Sequence, residues 1–131
     1  FIEQIFYAYR ETYSDPKQIL KKHSFGTAHH RAIHLIERHE GLTVSELLGK
    51  LKITKQSLNR VLRDLIKNKT ILLKKGDIDS RQRRIFLNEK GKKLYEEIFF
   101  EQKKRIYNAL KNSDSDAVIN FKNVLNRIIN E

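Results

Sequence analysis

The 131-residue chain has no cysteine, which excludes disulfides, thiolate metal sites and thiol-based redox sensing. Long apolar runs are missing too. None approaches the ~20 residues of a membrane span, and no signal-peptide pattern opens the chain. There is no Gly-rich phosphate loop, no G-x-S-x-G elbow and no cysteine nucleophile, so catalysis has little to rest on. Glu96, Glu97 and Glu101 are interleaved with lysines, as on a solvated helix face. A length of 131 residues suits one domain with a modest core. The expectation is a cytoplasmic, non-enzymatic domain with no membrane partner, no cofactor and no metal. The chain opens on Phe1 rather than Met, which implies that a few residues precede it.

Acids are scarce in one particular stretch. Residues 50–84 carry twelve Lys/Arg against three Asp/Glu, a net of +9, while the other 96 residues carry fifteen against thirteen, a net of +2. A surplus that served only solubility would be spread more evenly. One polyanionic partner facing this window is the better reading.

Apolar periodicity organises the chain into helices and one hairpin. "FIEQIFYAYRETY" places Ile2, Ile5, Phe6, Tyr9 and Tyr13 at helical spacing. Pro16 starts a new segment with Asp15 as its cap, and "KKHSFG" reads as a loop. "TAHHRAIHLIERHEG" predicts a helix capped by Thr27 and ended near Gly41. In "TVSELLGKL", Thr43 and Glu46 form a capping box. Thr54 caps the next helix, in which Leu58, Val61, Leu62, Leu65 and Ile66 make one apolar stripe. Its opposite face presents Gln56, Arg60, Arg63 and Lys67, with Asn59 on the flank. Two short helices joined by a tight turn, the second bearing amides and arginines outward, form a helix-turn-helix pattern. "TILLKKGDIDSRQRRIFL" then reads as a hairpin, or wing, with Asp77, Asp79, Arg81, Arg83 and Arg84 at its tip. Asn88 caps a long helix, and "DAVINFKNVLNRIIN" closes the chain with Val118, Phe121, Leu125, Ile128 and Ile129 on one face.

Residues 41–94 resemble the winged helix-turn-helix core of the MarR family of bacterial transcription regulators. The wing carries the most specific part of the likeness. Asp79-x-Arg81 is followed by a strand, by Leu87-Asn88 where the family has Leu-Thr, and by Glu89-Lys90-Gly91. Where the family often has Gly after the recognition helix, this chain has Asn68-Lys69, and Asn68 is expected to take the left-handed turn. The likeness is strong over 41–94 and looser over the rest of the chain. The fold it implies is mainly α with a small β-hairpin wing: a winged helix-turn-helix lobe (27–91) plus N- and C-terminal dimerisation helices (1–26 and 92–131), in a single domain.

The resemblance further implies a sequence-specific homodimer on a pseudo-palindromic duplex, with half-sites about 10 base pairs apart. Thr54, Lys55, Gln56, Ser57, Asn59, Arg60 and Arg63 then lie at the major groove, where Arg pairs with guanine and Gln or Asn with adenine. Arg60 and Arg63 serve equally well as phosphate contacts. Lys74 and Lys75 neutralise phosphates, and Arg81 enters the minor groove. Asp79 orients an arginine at the wing base. Arg83 and Arg84 alternate across the strand, so one faces DNA and the other pairs with an acid of its own chain. An effector pocket in the family's usual place would be lined by Tyr9, Tyr13, His29, His30 and Ile33. His30, His34 and Glu37 share a helix face with His29 alongside, but no metal-binding motif accompanies them. The alternative function is a winged-helix module without sequence readout, either an architectural DNA binder or a protein-interaction domain.

Overall fold

Four helices begin where a short polar side chain accepts the amide three residues ahead. Thr43 accepts from Glu46 (3.1 Å), Thr54 from Ser57 (3.1 Å), Asn88 from Gly91 (2.8 Å) and Asp114 from Ala117 (2.7 Å). These caps divide a computed structural model that describes residues 1–76 and 82–129. Its elements run α1 (Ile2–Ser14), α2 (Lys17–Lys21), α3 (Thr27–Arg38), α4 (Val44–Leu51), α5 (Lys55–Lys67), β1 (Ile71–Lys75), β2 (Arg83–Leu87), α6 (Glu89–Leu110) and α7 (Ser115–Ile128). The protein is mainly helical with one antiparallel hairpin, as expected. Asp77, Asp79 and Arg81 lie outside the described residues.

Several local expectations need correction. Thr27 is the first residue of α3 rather than its cap. Gly26 occupies that place, and its amide donates to Nδ1 of His29 at 3.0 Å. Asp15 ends α1 instead of capping α2, and its carboxylate takes both forks of the Arg105 guanidinium at 2.6 and 2.9 Å. The helix expected to start at Pro16 is the short α2, and only its last residue, Lys21, falls in the stretch read as a loop. Ile66 falls off the buried stripe of α5 and is 47% exposed. Asn68 stays right-handed, and Lys69 takes the left-handed turn at φ +61°. The Lys69 amide donates to Ile66 O and the Thr70 amide to Leu65 O, each at 3.0 Å, which is the Schellman arrangement usually built on glycine.

The hairpin pairs Ile71 with Leu87 through Lys75 with Arg83. A third short edge comes from residues 42–43: the Ile85 amide donates to Leu42 O at 2.9 Å, and Thr43 bridges to Arg84. Ile33 and Ile36 of α3, Leu47 of α4, Leu58 and Leu65 of α5, Ile85 of β2 and Ile98 of α6 fill one core. Leu20 and Phe25 from before residue 27, and Leu94 and Ile98 from beyond residue 91, belong to that same core.

His30 is the core's buried titratable group, 2% exposed, with its ring 4.9 Å from that of Tyr13 and Nδ1 without a hydrogen-bond partner. Burial pushes its pKa down to about 4; a Gln102 hydrogen bond works the other way and His34 adds slightly to the fall. Between pH 6.5 and 4 the unfolded chain therefore binds a proton that the folded chain refuses. Stability is whole above that window and declines as pH falls through it, by up to about 3 kcal/mol from this group.

The tightest approach in the fold lies where α6 begins. A Cβ on Gly91 would stand 2.1 Å from the Thr70 carbonyl oxygen, with the Leu87 side chain 3.2 Å away. Only glycine lets α6 start so close to the end of α5. Gly91→Ala is expected to destabilise the fold by about 1–3 kcal/mol or more, read as a lower midpoint in urea unfolding with an unchanged slope. His30→Leu should flatten the loss of stability between pH 6.5 and 4, measured as thermal midpoints across that range beside the parent chain. Equal pH profiles would remove His30 as the source of the decline.

Candidate nucleic-acid interface

The turn between α4 and α5 sets how α5 is presented. Lys52 ends α4 with φ +52°, and two residues later Thr54 caps α5. The Thr54 hydroxyl also donates to the Ser57 hydroxyl at 2.9 Å, so both belong to the helix start as much as to its outer face. With Leu58, Val61, Leu62 and Leu65 buried, the remaining side of α5 turns outward. Thr54, Lys55, Gln56, Ser57, Asn59, Arg60 and Arg63 are all exposed. With Lys67, also exposed, the helix offers two amides and four cations to solvent.

The wing base meets this helix across a groove of about 390 Å³. Lys55 and Asn59 line it from α5, Gln82 and Arg83 from the wing, and Thr43 and Ser45 from the start of α4. Sequence reasoning does not single out Gln82 or Ser45. For Ser45 a signal exists, because it stands in the first turn of the leading helix, the element that crosses the backbone in helix-turn-helix proteins. Gln82 has no signal of its own between arginines.

On the hairpin, Lys75 stands directly opposite Arg83 and Lys74 opposite Arg84. Like charges facing one another across a ladder destabilise it unless an anion intervenes. The two pairs are handled differently. Arg84 is half-buried, and its Nη1 donates to the Gly41 carbonyl at 2.8 Å. Among the described residues this carbonyl is the partner of Arg84, which ties the turn after α3 to the sheet. Lys74 lies over the Phe86 ring at 5.0 Å. Arg83 and Lys75 remain exposed together.

The expected effector residues divide into two groups. Tyr9, Tyr13 and His30 come together, with ring separations of 4.7 and 4.9 Å, and Arg31 sits over both tyrosines and donates to the Tyr9 hydroxyl. Ile33 and His29 do not join them. Ile33 is sealed in the core, and His29 points the other way, bonding Asp64 of α5. In their place stands His34, which shares with Tyr13 the walls of two neighbouring cavities. One, of about 400 Å³, is also lined by Phe99, Ile106 and Tyr107, and the other, of about 290 Å³, by Arg31, Lys50 and Leu51. Its spacing four residues from His30 is the available signal. Burial raises the pKa of Tyr13, while burial and then the charges of Arg38 and His39 lower that of His34. Among the described residues, no group of three His, Cys, Asp or Glu side chains is placed to hold a metal.

The sequence has relatives that match this arrangement. A profile of the MarR family matches residues 23–71. The HTH-type transcriptional regulator PetP of Rhodobacter capsulatus is 46% identical over 124 residues, covering 95% of this chain and 75% of PetP. Among solved structures, Staphylococcus aureus MarR in complex with salicylate and kanamycin superposes with a TM-score of 0.78 at 25% identity, over 98% of this chain and 87% of that one. NadR in complex with 4-hydroxyphenylacetate shares the fold with a TM-score of 0.81 at 23% identity, over 95% and 89% of the two chains. A winged lobe with a cationic groove, and a relative so similar over nearly the whole length, lead to one assignment. The chain belongs to the MarR family of winged helix-turn-helix transcription regulators.

Proposed function

We propose that this regulator acts as a homodimer on duplex DNA, reading two half-sites with α5 and gripping the backbone beside each with its wing. The Lys75–Arg83 pair carries the reading. Two cations held opposite one another at the edge of the α5 groove repel until an anion lies between them, and a phosphate chain supplies a series of such anions. Gln56 and Asn59 add base-reading amides on the same exposed helix, which a purely phosphate-binding surface has no need of. Arg60 and Arg63 stand beside them, while Lys74 and Lys75 take phosphates. The family resemblance assigns Arg81 to the minor groove, and Asp79, a carboxylate that phosphate would repel, orients an arginine at the wing base.

Dimerisation rests on surfaces the single chain leaves open. No described residue of α1 or α7 is buried. Ile2 is 88% exposed, and Ile5, Phe6, Phe121, Leu125 and Ile128 join it as exposed apolar side chains. Apolar exposure on this scale marks an interaction surface. A second copy would cover it by interlocking the first and last helices. The cavities beside Tyr13 and His34 offer a place for a small organic effector between those helices and the lobe. Small organic molecules accompany S. aureus MarR and NadR in their complexes. An effector there would change lobe separation and so the fit to two half-sites.

Selection of bound duplexes from a randomised library, at near-physiological salt, is expected to enrich an inverted repeat with half-sites about one turn apart. Binding without an enriched motif, collapsing with salt, would support the architectural reading instead. Gln56→Ala and Asn59→Ala should each relax base preference at one position per half-site by about 1–3 kcal/mol. Lys75→Ala should weaken all duplexes alike and lower the salt slope by about one. Removing residues 115–131 should abolish the dimer in sedimentation runs; a well-behaved dimer without them would refute the interlocked arrangement.

A further inference from the structure

On the side of α3 away from the tyrosines, His29 makes two bonds that together determine where its hydrogen lies. Its Nδ1 receives the Gly26 amide at 3.0 Å, and its Nε2 lies 2.9 Å from Oδ2 of Asp64. A backbone amide can only donate, so Nδ1 must be the acceptor. The ring's hydrogen therefore sits on Nε2 and is donated to Asp64. Rotation of the ring is blocked by Phe25, stacked on it at 4.7 Å with an 11° tilt, and by His23 stacked in turn on Phe25. His29 is 15% exposed and Asp64 45%.

Asp64 is the one acid of α5. It stands four residues from Arg60, next to Arg63 and three from Lys67, on a helix that otherwise carries only cations as its charged groups. A free carboxylate there would push phosphate away. We infer that His29 is a positioning residue for DNA binding, holding Asp64 and with it the C-terminal half of α5 against the start of α3. This rests on the reading in which α5 enters the DNA groove. The two bonds of His29 do separate jobs: the one at Nδ1 caps α3, and the one at Nε2 orients α5.

Two near-isosteric replacements separate these jobs. In H29Q the new side-chain amide reaches the position of Nε2 and can donate to Asp64. The shorter side chain of H29N keeps an acceptor for the Gly26 amide but does not reach Asp64. Both variants, with H29A, D64A and the H29A/D64A pair, are compared with the parent chain by thermal unfolding, by hydrogen exchange of the 55–67 amides in the free protein, and by affinity for the selected duplex. The expected result is that H29N keeps its thermal midpoint but exchanges faster in α5 and binds about tenfold more weakly, while H29Q matches the parent in both. H29A/D64A should be no weaker than either single variant, because the two residues act as a unit. Parent-like exchange and affinity in H29N, or H29A-like behaviour in H29Q, or additive losses in the pair, would each overturn the inference. Failure of the parent to bind any duplex would strike the groove reading alone, and hydrogen exchange would still decide whether His29 holds α5.

Discussion

Contact between the Thr70 carbonyl and Gly91 is the constraint on which the lobe depends. Around it, the three carbonyls that end α5 and lead into β1 are all taken by the start of α6. Asn68 O receives Lys90 Nζ at 2.7 Å, Lys69 O receives Asn88 Nδ2 at 2.6 Å, and Thr70 O receives the Asn88 amide at 3.1 Å. The Thr70 hydroxyl, fully buried, donates back to Leu65 O at 2.9 Å. Helix ends are otherwise the places where carbonyls go unpaired. Here one Asn-x-x-Gly segment pairs them, caps its own helix and leaves no space for a side chain at its fourth position. The end of α5, both strands of the hairpin and the start of α6 meet at this junction, which ties their positions together.

Electrostatics places a second demand on the same lobe. The window from 50 to 84 concentrates cations on α5 and the hairpin, a distribution that costs stability in the free protein. The fold offsets part of that cost internally: Arg84 goes to the Gly41 carbonyl and Lys74 to the Phe86 ring. Among the described residues, Lys75 beside Arg83 and the cations on the outer side of α5 stay exposed. Part of the surplus thus stays on the two surfaces that border one groove.

Periodicity and capping chemistry make most of this architecture legible. Thr43, Thr54 and Asn88 announce their helices because an N-cap depends on a local side chain and the amide three residues on. The apolar stripe of α5 is legible for the same reason, except at Ile66, where the helix has turned past the core. Where sequence reading fails, the deciding partner is distant. Asp15 looks like a cap because its neighbour is a proline, but Arg105, ninety residues on, competes for its carboxylate. His29 looks like part of an aromatic pocket, yet its direction is set by the Gly26 amide and by Asp64 on another helix. Lys69 adopts the left-handed turn because the Schellman bonds and the Asn88 contact favour it over the intrinsic preference that points to Asn68.

Helix α6 connects the two halves of the molecule, and its fastenings are at opposite ends. Its N-terminus is bound into the Thr70 junction at the end of α5. Farther along, Arg105 grips Asp15, and Gln102 donates to the Thr12 carbonyl at 3.0 Å, which fastens α6 to the end of α1. Beside these fastenings lie Phe99 and Ile106, which wall the cavity shared by Tyr13 and His34. A helix of 22 residues is about 33 Å long. Tilting such a beam by roughly five degrees about one end displaces the other by about 3 Å, comparable to the rise of one base pair. Because the junction at Gly91 is too tight to absorb a tilt, the displacement must pass to α5 and the wing together. The close contact that fixes the lobe internally would therefore carry such a tilt through it as one body.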